Sequence, residues 1–306
     1  MPPIMYNEKT KKAFLNTLPT DSLEVMYNSL FSRSAHIEDM TDKDILHFNI
    51  NECAFLLKYL NPKSIRQIGS LKSQFTKYAN WGIKQNIVSQ NNWLLIPPDG
   101  SFAKHSFTTR YVKDMDELES LVDTGLSAPY DKYVVYLLYM GIMGESYSEL
   151  ANLKDSDVSI HNKTIMANRQ KYAIIDPLYK TITRQDYYKE AKRRNYESAY
   201  FIKPYNTKHI KDGPISYQHI FRVFSKLNKE CGKANQDKQI SLSPMTIWRS
   251  GLFNSLYQIE RIKGNIVSDD YKYVSEVYGN KNSYSSYLRD YELYKELFWG
   301  VALYVY

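Results

Sequence analysis

Two cations, one in an apolar stretch and one in a basic run, are the residues of this sequence best suited to chemistry. Arg249 lies in the stretch PMTIWRSGLF, residues 244–253, and Lys171 lies in the run NKTIMANRQKYAIID, residues 162–176. Guanidinium and ammonium groups bind phosphate or carboxylate oxygens. Two interpretations of Arg249 therefore stay open: it binds an anionic ligand such as phosphate, or it forms a salt bridge with a neighbouring acid.

The positive charge of the chain is concentrated in one segment. Residues 163–212 contain twelve Lys or Arg and five Asp or Glu, and this excess equals the formal net charge of +7 of the whole chain. A basic segment can be an ordinary solvated surface, but a local excess of this size also suits a polyanion. Nucleic acid is the commonest polyanion, so we expect nucleic acid as the partner.

Several classes of protein are disfavoured by the composition. The two cysteines, Cys53 and Cys231, are too few and too distant in sequence for a disulfide framework or a zinc site. The longest apolar run, YVVYLLYMGIM at 133–143, is too short to cross a bilayer, and the first residues do not resemble a signal peptide. Because metal-ligand clusters and glycine-rich phosphate loops are also missing, we expect a cytoplasmic protein without metal, cofactor or membrane partner.

The length of 306 residues predicts two domains. The segment IPPDGSFAKHSF, 96–107, contains two prolines and a glycine, so we divide the chain into domains 1–105 and 106–306. The clearest helix of the first domain is Ser64–Trp81, which begins at an N-cap serine and repeats apolar residues at helical spacing. Its polar face carries no acid and suits phosphate or base contacts. The residues of that face are Arg66, Gln67, Ser70, Ser73, Gln74 and Lys77.

The sequence of the second domain predicts helices with a few inserted strands. We therefore expect the whole chain to be mainly α with a small β-sheet, an α+β fold. In chain order we expect helices at 114–125 and from Asp131 to about Met143, a helix running into a strand at 146–160, two strands within 162–176, basic helices at Thr183–Arg194 and Ser216–Glu230, and helices in the last third.

The order of these elements resembles the tyrosine recombinase, or phage integrase, family. The stretch SELANLKDSDVSIHNKTI, 148–165, is similar to the first catalytic motif of that family through Glu149, Leu150, Leu153 and Asp157. The resemblance implies a two-domain, C-shaped clamp on DNA. Residues 1–105 would form a helical, SAM-like core-binding domain, and residues 106–306 a catalytic-like domain with an inserted sheet.

The family resemblance implies transesterification of a phosphodiester. Two arginines and a histidine or lysine hold the non-bridging oxygens, a tyrosine oxygen attacks, and a lysine protonates the leaving oxygen. Two of the expected side chains match, because Lys171 stands at the lysine position and Arg249 at the second arginine position. The remaining positions depart from the family pattern. Ser146 replaces the first arginine, Thr246 the histidine and Asn280 the third basic residue, while Arg289 stands at the nucleophile position with Tyr287 and Tyr291 out of register.

A hydroxyl or amide cannot supply the fixed cations that the developing charge requires. We therefore expect a catalytically degenerate chain, not an enzyme, in which Lys171 and Arg249 bind DNA phosphates as positioning contacts. A protein that occupies DNA without cutting it would repress transcription. The resemblance also extends to integrase-like prophage repressors, which implies sequence-specific binding to phage operator sites and maintenance of lysogeny.

Two alternatives remain open at this point. The chain could be an active but divergent recombinase of integrase or excision type that uses Tyr287 or Tyr291, if an insertion near Ser283 restored the register. It could also be an accessory architectural protein that binds DNA beside a true integrase. A cleavage assay separates the first alternative from repression, and promoter occupancy with and without an integrase separates the second.

The clamp of the family implies that the helices around Arg66–Lys77 and Ser216–Glu230 enter the major groove from opposite sides. On the second helix the side chains available to DNA are polar or basic, types suited to guanine and adenine edges. The expected DNA contacts outside the first domain are Arg169, Lys171, Lys208, Lys211, Tyr217, Gln218, Arg222, Lys226, Lys229 and Arg249.

The apolar C-terminal tail requires a surface to cover it. In the family this segment docks on a neighbouring protomer, which implies self-association on DNA, and packing on its own domain is the equal alternative. A regulatory protein partner would release the chain from DNA, although nothing in the sequence identifies one. The tail residues concerned are Leu293, Leu297, Phe298, Trp299, Val301 and Leu303.

Overall fold

The computed structural model describes residues 5–97, 104–184, 194–205, 212–234, 240–280 and 287–300. The chain divides into two compact units, Met1–Phe107 and Thr108–Tyr306. Within the described ranges, no helix combines the length and the apolar character that crossing a membrane requires. The same ranges contain no group of three or more His, Cys, Asp or Glu residues that could hold a metal ion.

The first unit is helical. Aromatic side chains fill its core: Phe14 meets Tyr27 edge to face at a ring-centre distance of 4.9 Å, and Phe75 stacks on Trp93 at 4.2 Å. Such pairs add about 0.5–1.5 kcal/mol to the burial of their surface. The helices are α1 (Glu8–Leu15), α2 (Asp21–Thr41), α3 (Ile50–Tyr59) and α4 (Ile65–Lys84), with 3-10 turns at Ile45–His47 and Asn92–Leu95.

Helix α4 confirms the predicted helix and extends it by three residues. The Ser64 hydroxyl accepts a hydrogen bond from the Gln67 backbone N–H, so the predicted N-cap is correct. The helix continues beyond the predicted end at Trp81, and Gly82 within this extension packs against the Leu46 side chain. A longer helix presents a longer polar face.

A charged pair lies in the interior of the first unit. Lys11 on α1 and Glu38 on α2 are 2.5 Å apart, and neither side chain is exposed to solvent. Glu38 also accepts hydrogen bonds from the Ser34 hydroxyl and the Ile45 backbone N–H. Burial raises the pKa of Glu38 to about 7, although Lys11 opposes that shift. The pair joins two helices and an adjoining turn through a single carboxylate.

The second unit is helical with one small sheet, which confirms the expected fold class. A short helix α5 (Lys104–Thr108) leads into it. The three strands form an antiparallel sheet in the order β1-β2-β3, in which Ile165 pairs with both Val158 and Tyr172. The remaining elements are α6 (Met115–Gly125), α7 (Pro129–Tyr139), α8 (Ser148–Asn152), β1 (Val158–Ser159), β2 (Thr164–Ala167), β3 (Gln170–Ala173), α9 (Asp176–Thr183), α10 (Tyr217–Ala234), α11 (Pro244–Lys263), α12 (Ser268–Val277) and α13 (Leu288–Trp299).

Two predicted helices differ from the structure at their ends. Helix α7 ends at Tyr139 and not near Met143, because Gly141 takes a left-handed conformation with φ of +99°. The basic helix predicted at Thr183–Arg194 lies largely outside the described residues. Of the described residues in this range, Thr183 ends α9, Arg184 is extended, and Arg194 forms a single antiparallel bridge with Tyr205.

Helices α7 and α11 cross closely at Gly251. A methyl group at this position would lie 1.9 Å from the backbone oxygen of Tyr139 and 2.8 Å from the hydroxyl oxygen of Tyr278. Neither atom can move away easily. The Tyr139 oxygen belongs to the main chain, and the Tyr278 hydroxyl donates a hydrogen bond to that oxygen. The glycine of the PMTIWRSGLF stretch is therefore required by the helix crossing.

We expect Gly251→Ala to destabilise the chain by about 1–3 kcal/mol, because the two helices must separate to admit the methyl group. Gly232→Ala on α10 is the matched control, since a methyl group there meets nothing within 4 Å. The control should stabilise the chain by about 0.5–1 kcal/mol through helix propensity. Urea denaturation of both variants tests this contrast, and equal effects would refute the close crossing.

Candidate functional site

A cavity of about 650 Å³ opens in the second unit, where α8, the β2–β3 turn, α11 and the ends of α12 and α13 meet. Its lining includes several of the positions that the sequence analysis matched to the catalytic motifs of tyrosine recombinases. Its polar lining residues are Glu145, Ser148, Glu149, Asn168, Arg249, Asn280 and Tyr287. Its apolar lining includes Met143, Met245, Trp248, Leu252, Phe253 and Tyr278.

Arg249 lies in this cavity with a partner already in place. Its guanidinium is 3.6 Å from the carboxylate of Asp290, and its side chain keeps 37% of its surface exposed. Tyr111 lies beside this guanidinium, which opposes the rise in the pKa of Tyr111 that burial causes. The salt-bridge interpretation of Arg249 therefore describes its contact with Asp290. The anion-binding interpretation stays open, because the exposed part of the guanidinium faces solvent and can bind an anion.

Thr246 is buried, and its hydroxyl is used by the helix it belongs to. It stands in the first turn of α11, and its hydroxyl oxygen accepts from the Ser243 backbone N–H at 2.8 Å. The Ser243 hydroxyl accepts in turn from the Thr246 backbone N–H, which completes a capping box. The expected histidine position is thus a structural cap, and it is not among the cavity's lining residues.

The turn before α8 places acids where the resemblance implies an arginine. Gly144, Ser146 and Tyr147 all have positive φ values, and this tight turn leaves the Ser146 side chain exposed and outside the cavity lining. Glu145 and Glu149 line the cavity in its place. Burial raises the pKa of Glu149. Among the described lining residues, two carboxylates therefore accompany one guanidinium, and this balance opposes binding of a phosphate.

Lys171 lies on β3, exposed and opposite Met166 of β2, and the cavity lining does not include it. The turn of this hairpin does reach the cavity through Asn168, while the neighbouring Arg169 is exposed. Tyr172 fixes the hairpin by donating to the Val277 backbone oxygen at 2.9 Å. A change of hairpin position would be needed to bring the Lys171 ammonium into the cavity.

The two candidate nucleophiles are both buried. Tyr287 lines the cavity, but its hydroxyl is paired with the Ser275 hydroxyl and lies 3.3 Å from the Tyr271 backbone oxygen. Tyr291 is fully buried and donates to Glu260 at 2.5 Å, away from the cavity lining. Burial raises the pKa of both phenols, and Glu260 raises that of Tyr291 further. A raised pKa makes a tyrosine hydroxyl a poorer nucleophile.

Helix α4 presents one continuous exposed stripe along its length. Six residues of this helix are exposed, at spacings of three and four that follow one helix face, and none is acidic. The predicted face included four of them; Asn80 lies within the predicted helix but was not part of that face, and Lys84 lies in the three-residue extension. We name these residues the α4 stripe: Arg66, Ser70, Ser73, Lys77, Asn80 and Lys84. The other two predicted residues, Gln67 and Gln74, are half-buried and hydrogen-bond within the unit.

Helix α10 buries its apolar face and exposes a basic and aromatic one. Tyr217 and Phe221 are 55% and 39% exposed. Lys226 lies 3.8 Å from Asp131, whose carboxylate also pairs with the buried Arg194 at 3.0 Å, so this lysine has a partner already. The exposed face comprises Tyr217, Gln218, Phe221, Arg222, Ser225, Lys226 and Lys229. The other predicted contacts on this side, Lys208 and Lys211, lie outside the described residues.

The described part of the tail packs on its own unit. Trp299 stacks on Tyr257 with ring centres 4.3 Å apart, and the Lys113 ammonium lies over the Trp299 ring. Leu293 is buried, while Leu297 and Phe298 are half-buried on the same helix. Val301 and Leu303 lie outside the described residues. Self-association through the tail stays a prediction.

A helical unit followed by a helical unit with a small antiparallel sheet is the organisation of tyrosine recombinases, as the sequence predicted. The chain belongs to the MrpR family: the model of the MrpR N-terminal core-binding domain matches residues 5–84, and that of the MrpR C-terminal catalytic domain matches residues 114–296. No curated protein matches the chain in sequence.

Three solved structures are similar to this chain. The Tn1549 transposon integrase in complex with circular intermediate DNA is 14% identical, with 94% of this chain and 95% of that chain covered and a TM-score of 0.40. The XerA recombinase is 14% identical, with 94% and 91% covered and a TM-score of 0.40. A lambda integrase dimer bound to a COC′ core site is 13% identical, with 98% and 97% covered and a TM-score of 0.39.

Proposed function

We propose that this chain is a sequence-specific DNA-binding protein that represses transcription by occupying its sites without cutting them. The α4 stripe is the observation that carries the proposal. It offers three cations and three short hydrogen-bonding side chains along about five helical turns of a core-binding domain, with no acid among them. The exposed face of α10 supplies a second surface of the same character.

The charge balance of the cavity supports the absence of strand cleavage. A developing phosphorane needs several fixed cations. The described lining offers Arg249, already paired with Asp290, beside two glutamates. The Thr246 hydroxyl is hydrogen-bonded in the helix cap, and the Tyr287 hydroxyl is hydrogen-bonded to Ser275. Phosphate binding at this cavity would therefore be weak, and DNA affinity would come from the helix faces.

A protein that stays on its site suits a bacterial cytoplasm in which a phage genome is kept silent. We propose that its sites lie at phage promoters and that their occupancy maintains lysogeny. The second candidate function, a divergent recombinase, is favoured by the place of Tyr287 in the cavity. An accessory architectural role has no comparable observation in its favour.

Occupancy and transcription together test the proposal. We would map binding of the full chain across host and prophage DNA by immunoprecipitation, and then measure transcription from adjacent promoters after depletion of the chain. We expect several promoter-proximal sites whose genes are derepressed within minutes of depletion. Binding that requires a partner integrase, or occupancy without any change in transcription, would exclude repression.

A further inference from the structure

Three aromatic side chains, two of them exposed, cluster at the N-terminal half of α10. Tyr217 and Phe221 are one turn apart with ring centres at 4.4 Å, and Tyr147 lies beside them at 5.4 Å and 6.0 Å. We name these three residues the aromatic trio. Tyr147 is half-buried, but Tyr217 and Phe221 are exposed on a helix that otherwise buries its apolar residues, and this exposure requires a separate reason.

The aromatic trio adjoins hydrogen-bonding side chains of the same helix. Tyr217 and Phe221 share a shallow hollow with Gln218, Arg222 and Ser225. Lys229 is exposed about one turn beyond Ser225 on the same helix. The surface around the hollow thus combines aromatic rings with amide, guanidinium and hydroxyl groups, and it carries a positive charge.

We infer that the aromatic trio, led by Tyr217 and Phe221, binds the 5-methyl groups of thymines in the major groove. This inference rests on the proposed function. Thymine is the one standard base with a methyl group on its major-groove edge, and apolar side chains read that group by contact. Gln218 can pair with the adenine edge, and Arg222 with a guanine edge or a phosphate. The site read by α10 would therefore contain A·T pairs.

Charge complementarity favours DNA over a protein as the occupant of this surface. Arg222, Lys226 and Lys229 flank the rings, and among the exposed residues of α10 between Tyr217 and Lys229 there is no acid. Duplex DNA supplies phosphates on both sides of the groove that would meet these cations. A protein partner would require a wider apolar surface than two exposed rings provide.

Replacing thymine by uracil removes the methyl group alone and tests the inference directly. We would select binding sites for the full chain from random duplex DNA, and then exchange each thymine for deoxyuracil within the positions that α10 protects. We expect the wild-type chain to lose about fourfold in affinity per methyl group contacted, from about 0.8 kcal/mol for one buried carbon. Phe221→Ser should show a smaller preference for thymine over uracil, because it removes one of the two exposed rings.

Lys229→Gln is the control variant, because Lys229 is exposed on the same helix and carries no ring. It should bind both sites more weakly while keeping the preference for thymine. Tight binding by the wild-type chain without any thymine preference would overturn the inference and leave the proposed function intact. If no duplex is bound at all, both fall. If Phe221→Ser keeps its thymine preference but loses self-association, the aromatic trio is a protein-binding surface instead.

Discussion

We expect a chain carrying Arg66→Glu and Lys77→Glu to bind its DNA sites about 100-fold more weakly than the wild-type chain. Both residues are exposed on the α4 stripe, one at each side of its centre. Each substitution removes a charge-assisted contact of about 1.5 kcal/mol, and two such losses correspond to about two orders of magnitude in affinity. The slope of log affinity against log salt concentration should also fall by about two.

The control must change the net charge equally, because DNA attracts any cation at long range. Lys9 on α1 and Lys58 on α3 are exposed lysines of the same unit that lie on other helices. Lys9→Glu with Lys58→Glu should weaken binding only a few-fold, as a long-range effect, with the salt slope retained. Affinities measured by fluorescence anisotropy at several salt concentrations decide the matter. Equal losses in both double variants would mean that α4 makes no DNA contact.

The second large effect concerns stability. We expect Lys11→Met to destabilise the chain by about 3–5 kcal/mol, because it leaves the Glu38 carboxylate in the interior without its counter-charge. Typical domains are stable by only about 5–15 kcal/mol, so the first unit would be close to unfolding. Lys12→Met is the matched control, since Lys12 pairs with Glu8 at the surface with 64% of its side chain exposed. That change should stay within about 0.5 kcal/mol.

The pH dependence of this variant follows from Glu38. Burial places its pKa at about 7 in the folded chain, above the ordinary value of 4.5, and loss of Lys11 removes an opposing influence. A raised folded pKa gives stability that is present below the unfolded pKa and lost as pH rises through the folded pKa. The Lys11→Met variant should therefore unfold more readily at pH 8 than at pH 5.

A compensating substitution separates loss of charge from loss of packing. Lys11→Met with Glu38→Gln keeps an acceptor for the Ile45 backbone N–H but removes the charge. The double variant should regain most of the lost stability in denaturant unfolding of the full chain, and its pH dependence should be weaker. If it is no more stable than Lys11→Met, or if Lys11→Met itself costs under 1 kcal/mol, the buried carboxylate is not the cause.

The fold was largely predictable because helix periodicity and turn residues are local signals. Ser64 predicted the start of α4 correctly, but the helix continues three residues past the predicted end, and Gly82 in this extension packs against Leu46, a contact distant in sequence. Lys84, the last residue of the α4 stripe, was missed because it lies beyond the predicted end, whereas Asn80 lay inside the predicted helix and was left out of the predicted face. Similarly, the predicted end of α7 missed the left-handed Gly141, which sequence periodicity does not encode.

The chemistry of the cavity was less accessible from the sequence. Spacing from Glu149 selected Ser146 as the missing arginine, whereas left-handed conformations at Ser146 and Tyr147 turn this residue away from the lining and leave Glu145 there. Thr246 was different, because Ser243 three residues earlier forms a recognisable capping pair with it. The cap could have been predicted from the sequence, but the two glutamates that line the cavity together with Arg249 required the fold.

Incubation of the full chain with its own recovered DNA site is the most direct test of binding without cleavage. The reaction would be denatured and examined for a covalent 3′-phosphotyrosyl adduct, with a Tyr287→Phe variant alongside. We expect tight binding and no adduct from either chain. An adduct that forms with the wild-type chain and disappears with Tyr287→Phe would contradict the proposed function and establish a working recombinase.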